Sequence, residues 1–124
     1  MTATHAQRKA LGDFGERVAA RYLDDLGMVL LDRNWRCPDG EIDIVARDGV
    51  ELVVCEVKTR SSARFGTPLE AITAQKASRL HRLGRAWLSA HPDHPRFGRL
   101  RIDVVTVTTA TAGAAEVEHI AGVV

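Results

Sequence analysis

The chain has 124 residues, of which 45% are hydrophobic and 27% charged, and its formal net charge is +1. These values predict one compact domain with its own core, and they exclude a chain too polar to fold. The two cysteines cannot form a disulfide framework or a four-cysteine zinc site. The sequence shows neither a signal-peptide pattern nor a long apolar run, so we expect a cytoplasmic protein without a membrane partner.

The near-neutral total hides an uneven distribution of charge. Residues 58–101 carry ten basic side chains and two acidic ones, whereas residues 1–57 carry seven basic and eleven acidic ones. A local excess of positive charge attracts polyanions such as nucleic acids. The same basic residues could equally form a solvated helix face, and composition alone does not separate the two interpretations.

Apolar periodicity and turn residues predict the elements in chain order. Helical spacing of apolar residues predicts helices over residues 7–26 and 68–91. Alternating or continuous apolar runs predict strands at residues 28–36, 41–46, 52–58 and 101–107, with a short last strand at 116–120. This α-β-β-β-α-β-(β) order predicts an α/β fold in which helices flank a mixed β-sheet. We expect a single domain over residues 1–124, with a core at 8–107 and a C-terminal tail at 108–124.

The hairpin between the second and third predicted strands determines where its acidic side chains point. Asp48-Gly49 is the strongest turn signal in the chain, and a two-residue turn there places Asp43 opposite Val54. Because side chains alternate along a strand, Asp43, Glu56 and Lys58 would then share one face. Asp43 and Glu56 become diagonal neighbours, about 7–8 Å apart at the backbone, so their carboxylates can converge on one ion. A three-residue turn would reverse this parity.

The carboxylates of this hairpin lie within apolar strands, which indicates either a charge partner or a metal. Oxygen ligands of this kind suit Mg²⁺ or Mn²⁺, and Lys58 adds a cation that could offset negative charge on a phosphate. Asp43 followed by Glu56-x-Lys58 is therefore sufficient for metal-assisted phosphodiester hydrolysis. The alternative is a structural ion pair between Glu56 and Lys58, since Glu-x-Lys alone is common by chance.

Glu16 lies at the border of the apolar stripe of the first predicted helix. From that position it could point along the seam between helix and sheet, although glutamates at such borders are more often solvated. Together with Asp43 and the basic helix that follows the hairpin, Glu16 shifts the balance from a structural ion pair towards a functional site.

Several motifs resemble the YraN-like family of uncharacterised bacterial proteins, over about residues 8–107. The matching segments are residues 12–16 (GDFGE), 40–46 (GEIDIVA), 54–60 (VCEVKTR) and 68–72 (PLEAI). The resemblance implies the restriction-endonuclease-like fold and a distant similarity to archaeal Holliday-junction resolvases. In such nucleases an acid from the first helix, an acid on one strand and Glu-x-Lys on the next strand form the metal site. The resemblance therefore assigns catalytic roles to Glu16, Asp43, Glu56 and Lys58.

These observations favour a nuclease that depends on Mg²⁺ or Mn²⁺ and acts on DNA, including branched or structured DNA. Asp43 and Glu56 would bind the metal. Arg60, Arg64 and Lys76 are the candidates for contacts with the nucleic-acid backbone, since phosphates are bound by such side chains. Related resolvases act as two-fold dimers, so this chain could also form a homodimer. The alternatives are a non-catalytic nucleic-acid-binding or adaptor domain that keeps the nuclease fold, and a protein-interaction module with an acidic partner.

Overall fold

The computed structural model describes residues 4–61, 72–109 and 113–123. They form two helices and five strands, which are α1 (His5–Asp25), β1 (Val29–Cys37), β2 (Gly40–Asp48), β3 (Glu51–Arg60), α2 (Ala74–Ala90), β4 (Arg99–Thr108) and β5 (Glu116–Val123). Each helix begins after a threonine N-cap, Thr4 for α1 and Thr73 for α2, whose side chain accepts a backbone N–H of the first turn. The predicted start of the second helix, at residue 68, lies outside the described residues.

The five strands form one sheet in the order β1-β2-β3-β4-β5. Strands β3 and β4 are parallel, and the other three pairs are antiparallel. Helix α2 lies between β3 and β4 in the chain and makes the crossover that a parallel pair requires. The predicted α/β architecture, a mixed sheet flanked by helices in the manner of restriction endonucleases, is confirmed. Within the described residues, no helix is both long and apolar enough to cross a membrane.

A helix covers each face of the sheet, so the core has two layers. On one face α1 packs Ala19 and Leu23 against the buried residues of the central strands, including Ile44. On the other face α2 packs Leu83 and Trp87 against a second set of strand residues. Burial of apolar side chains on both faces accounts for the continuous apolar run of β3.

A buried polar network attaches the C-terminal strand to the rest of the sheet. Asp103 on β4 is fully buried, and its carboxylate accepts two hydrogen bonds from Arg101, at 2.8 and 2.9 Å. It also accepts the Gly122 backbone N–H at 3.0 Å and contacts the His119 ring at 2.8 Å. Burial acts to raise the pKa of Asp103, but these contacts outweigh it and lower the pKa. Residues of the predicted tail therefore contribute β5, an integral edge strand.

The β2–β3 hairpin differs from its prediction in the position of the turn. Asp48 pairs with Glu51, so the turn residues are Gly49 and Val50 and the prediction of an Asp48-Gly49 turn was wrong. Gly49 has a φ of 60°, and a left-handed first turn residue followed by an ordinary one is the pattern of a type II′ turn. Arg101 holds the last pair, because its Nη1 contacts both Asp48 and Glu51.

The corrected register has one consequence for the acidic side chains. Val54 pairs with Val45 rather than with Asp43, a displacement of two residues. A displacement by an even number preserves the alternation of side chains between the two faces. Continuing the observed register places Asp43 directly across from Glu56 instead of diagonally to it.

Candidate metal centre

The candidate centre lies where β2 and β3 separate. These strands pair from the hairpin turn as far as Ile44 and Cys55. Beyond that point β2 stays paired with β1, and β3 stays paired with β4, so the sheet opens into a fork. Asp43 and Glu56 are the first residues past the last β2–β3 pair, one on each side of the fork.

The side chain of Asp43 takes the place of a backbone acceptor in the fork. The Val57 backbone N–H donates to Asp43 Oδ2 at 2.9 Å. When protonated, the Asp43 carboxyl donates a hydrogen bond to Glu56. Burial, and after it the negative charge of Glu56, raises the pKa of Asp43 to about 7, although the Val57 N–H acts in the opposite direction. The structure thus brings the two acids into contact.

Two lysines lie beside this pair of acids. Lys76 Nζ on α2 is 3.8 Å from Glu56 Oε2, so the ion pair of Glu56 runs to Lys76 and not to its strand neighbour Lys58. The Lys58 and Lys76 ammonium groups lie side by side, and burial together with this contact lowers the pKa of Lys76. Lys76, expected from the sequence as a backbone contact, therefore also belongs to the immediate surroundings of the centre.

Glu16 approaches the fork from α1. A Cβ at the neighbouring Gly15 would overlap the side chain of Thr59, so α1 lies very close to β3 at this point. Burial raises the pKa of Glu16, and a hydrogen bond from the Asn34 side chain acts to lower it. The charge of Glu16 in turn contributes to the raised pKa of Asp43. Glu16 is thus near enough to influence the paired acids through its charge.

The donor set of the fork fits a hard divalent cation. Two carboxylates that share a proton repel each other once both are ionised, and a divalent cation between them removes that repulsion. Throughout residues 4–61, 72–109 and 113–123, no group of three or more His, Cys, Asp or Glu side chains is arranged to hold a metal. Asp43 and Glu56 would therefore supply two ligands, and waters or substrate oxygens would complete the shell, as is usual for Mg²⁺.

A basic groove begins next to the fork and follows the first half of α2. Its volume is about 680 Å³, and its lining includes Lys76, Arg79 and Arg82. Arg60 ends β3 on the same strand as Glu56, and its backbone carbonyl accepts the Thr109 N–H at 2.9 Å. The predicted contact Arg64 lies outside the described residues.

Asn34 is the neighbour of the centre that the sequence prediction missed. It lies in β1, contacts Glu16 and has a φ of 53°. The available signal was an asparagine inside a run of strand residues, because asparagine is depleted in strands and tolerates left-handed backbone.

The architecture is that of the restriction-endonuclease-like class, with the candidate centre in the fork of its sheet. Comparison with known proteins identifies the family. The model of Uncharacterised protein family UPF0102 matches residues 15–107. A UPF0102 protein of Kineococcus radiotolerans is 59% identical, over 96% of this chain and 98% of the relative, and one of Beutenbergia cavernae is 56% identical, over 94% and 97%. The chain belongs to the UPF0102 family, as its resemblance to YraN-like proteins predicts.

Proposed function

We propose that the protein is a nuclease that depends on Mg²⁺ or Mn²⁺ and hydrolyses phosphodiester bonds in DNA. The observation that carries this proposal is the pairing of Asp43 with Glu56 in the fork, where burial, and after it the charge of Glu56, raises the pKa of Asp43 to about 7. Neighbouring carboxylates with a strongly raised pKa are common in metal-binding and catalytic sites. Lys58, Lys76 and the groove along α2 add the positive charge that a phosphate backbone requires.

Each residue of the centre has a distinct role in this proposal. Asp43 and Glu56 would hold the metal, which when bound polarises a phosphoryl oxygen and acidifies a bound water. Lys58 would stabilise negative charge that develops on the phosphate. Glu16, whose carboxylate is half-buried on the α1 side, would orient an outer water or accept its proton.

The groove along α2 suggests how a substrate strand would be oriented. Lys76 joins the groove to the fork, since it lines the groove and pairs with Glu56. A backbone bound along Lys76, Arg79 and Arg82 would place one of its phosphates next to Glu56. Arg60, at the end of β3, would add a contact on that side, and Arg64 is a further predicted contact outside the described residues. Binding through these charges should weaken steeply as salt increases.

The test is cleavage of a panel of linear, flapped and four-way DNAs with Mn²⁺, with Mg²⁺ and with EDTA. We expect cleavage only with the metals, and Glu56→Gln should remove it while circular dichroism shows an unchanged fold. Glu118→Gln is the matched control, because Glu118 is an exposed glutamate on β5. Equal cleavage by the wild type and Glu56→Gln would disprove the assigned role of the fork. Faster cleavage of the flapped and four-way DNAs than of linear DNA would define the substrate class as branched DNA.

A second candidate is a nucleic-acid-binding adaptor that keeps the fold without turnover. The observation that favours it is the small donor set, two carboxylates rather than three or more among the described residues. An adaptor would bind the same DNAs equally well in EDTA and would leave them intact in Mn²⁺. Fluorescence anisotropy with labelled DNA, measured beside the cleavage assay, separates the two functions.

A further inference from the structure

Asn34 has an unusual backbone for its position in the fold. Its φ of 53° lies in the left-handed region, and it is the one non-glycine residue with such a φ in the described part of the chain. It lies in the middle of edge strand β1, between Arg33 and Trp35. Left-handed residues interrupt regular strands, and they persist in folded proteins where the surroundings or a function require them.

The faces of the neighbouring strand β2 reverse next to this left-handed residue. In a regular strand, residues two positions apart share a face. On β2, however, Ile44 packs in the α1 layer, whereas Ile42 packs in the α2 layer together with Trp35, its partner on β1. The reversal falls between these residues, where continuing the β1–β2 register sets Asn34 opposite Asp43. The backbone conformation of Asn34 therefore affects where the side chain of Asp43 points, at the position where β2 separates from β3.

The side chain of Asn34 contacts the third acid of the centre. Its amide lies near the Glu16 carboxylate and acts to lower the pKa of that group, against the larger effect of burial. Asn34 and Glu16 also line one pocket of about 350 Å³ between α1 and β1, together with Arg17 and Arg33. One residue thus acts on Asp43 through its backbone and on Glu16 through its amide.

We propose that Asn34 is a positioning residue of the candidate metal centre. Its left-handed backbone directs Asp43 into the fork, and its amide holds the Glu16 carboxylate in place. The effect on metal binding rests on the proposed function, whereas the contact between Asn34 and Glu16 can be tested without metal.

Three substitutions separate the backbone role from the side-chain role. Asn34→Gly keeps the left-handed backbone at no steric cost and removes only the amide. Asn34→Asp keeps a residue that tolerates this backbone and places a second carboxylate beside Glu16. Asn34→Ala removes the amide and strains the backbone as well. We expect Asn34→Ala to unfold at lower urea concentration than Asn34→Gly, and equal midpoints would overturn the backbone role.

The metal experiment is isothermal titration of Mn²⁺ into the full chain at pH 8, where most Asp43 is ionised. We expect Asn34→Gly to raise the dissociation constant about 10-fold, the usual effect of losing a polar group from the outer shell of a metal site. Asn34→Asp should raise it further. If Asn34 acts through Glu16, Asn34→Gly should cause no additional loss in a Glu16→Ala background. An equal loss in both backgrounds would overturn the positioning role.

A metal-free double-mutant cycle distinguishes this proposal from the proposed function. Urea unfolding in EDTA is compared for the wild type, Asn34→Gly, Glu16→Ala and the double variant. We expect the two substitutions to be non-additive, because each removes the same contact between Asn34 and Glu16. Additive effects would overturn the contact whatever the metal results. A wild type that binds no Mn²⁺ while the cycle stays non-additive would disprove the metal centre and leave the contact between Asn34 and Glu16 established.

Discussion

Replacing Asp43 by asparagine tests the energetics of the fork directly. In the folded protein Asp43 accepts the Val57 N–H and, when protonated, donates to Glu56. An asparagine side chain can make both contacts without ionising, so it mimics the protonated acid. We therefore expect Asp43→Asn to fold normally and to remove a pH-dependent loss of stability.

The magnitude follows from the raised pKa. The ordinary value is 3.8 and the folded value about 7, so the folded state binds this proton more tightly than the unfolded chain does. The free energy of unfolding therefore falls as the pH rises from the ordinary pKa of 3.8 through the folded pKa of about 7, by at most about 4 kcal/mol for this group. Screening by solvent at the half-buried site reduces the expected change to about 1–3 kcal/mol. At pH 8, Asp43→Asn should exceed the wild type in stability by this amount.

The assay is urea unfolding at pH 5, 6, 7 and 8, with EDTA and with Mg²⁺. The stability difference between the two proteins should shrink steadily from pH 8 to pH 5. Mg²⁺ should stabilise only the wild type, because metal binding requires the ionised carboxylate. Asp93→Asn, at an exposed loop aspartate, is the matched control. A variant less stable than the wild type by the same amount at every pH would refute this reasoning and indicate an ordinary structural aspartate.

Other predictions concern the packing of α1 and the buried polar network. Gly15→Ala should destabilise by about 1–3 kcal/mol, because its Cβ would overlap Thr59, whereas Gly12→Ala, with open space around it, should stabilise by about 0.5–1 kcal/mol. The unfolding midpoints of the two variants, compared with the wild type, check both signs. Asp103→Ala should destabilise by at least about 3 kcal/mol, because it leaves Arg101 without its buried partner. The lowered pKa of Asp103 also predicts that its contribution disappears as the pH falls through that value, which acid titration of Asp103→Asn beside the wild type measures.

Much of the fold follows from local patterns in the sequence. The predicted helix at 7–26 corresponds to α1, His5–Asp25, because its apolar stripe has helical period and a threonine cap precedes it. The strands on either side of the hairpin follow from apolar alternation and from a glycine turn. The turn itself was placed one residue too early, because Asp-Gly and Gly-Val both satisfy a local turn rule, and Arg101 on a distant strand holds the pair that decides between them.

The candidate site shows the same division between local and distant effects. Alternation predicts a shared face for Asp43 and Glu56, and the error of two residues in the register preserves parity. The structure brings the two side chains together at the point where the faces of β2 reverse, which alternation does not predict. It does not predict that Glu56 pairs with Lys76 instead of Lys58, because Lys76 comes from a helix whose placement depends on the packing of the whole α2 layer. The roles assigned to the site residues remain predictions, for Glu16, Asp43, Glu56, Lys58, Arg60, Arg64 and Lys76 alike.

The amino-acid sequence by itself determined which segments are helices and strands, and which family the chain belongs to. It also determined which charged side chains are available to form the candidate site. Only the tertiary structure decided that the sheet splits beside Asp43 and that the faces of β2 reverse opposite a left-handed asparagine of β1. The physical reason is the distance along the chain over which each effect acts. Periodicity and turn preference act over a few neighbouring residues, whereas strand separation and the contacts of buried charges depend on elements that are distant in the chain.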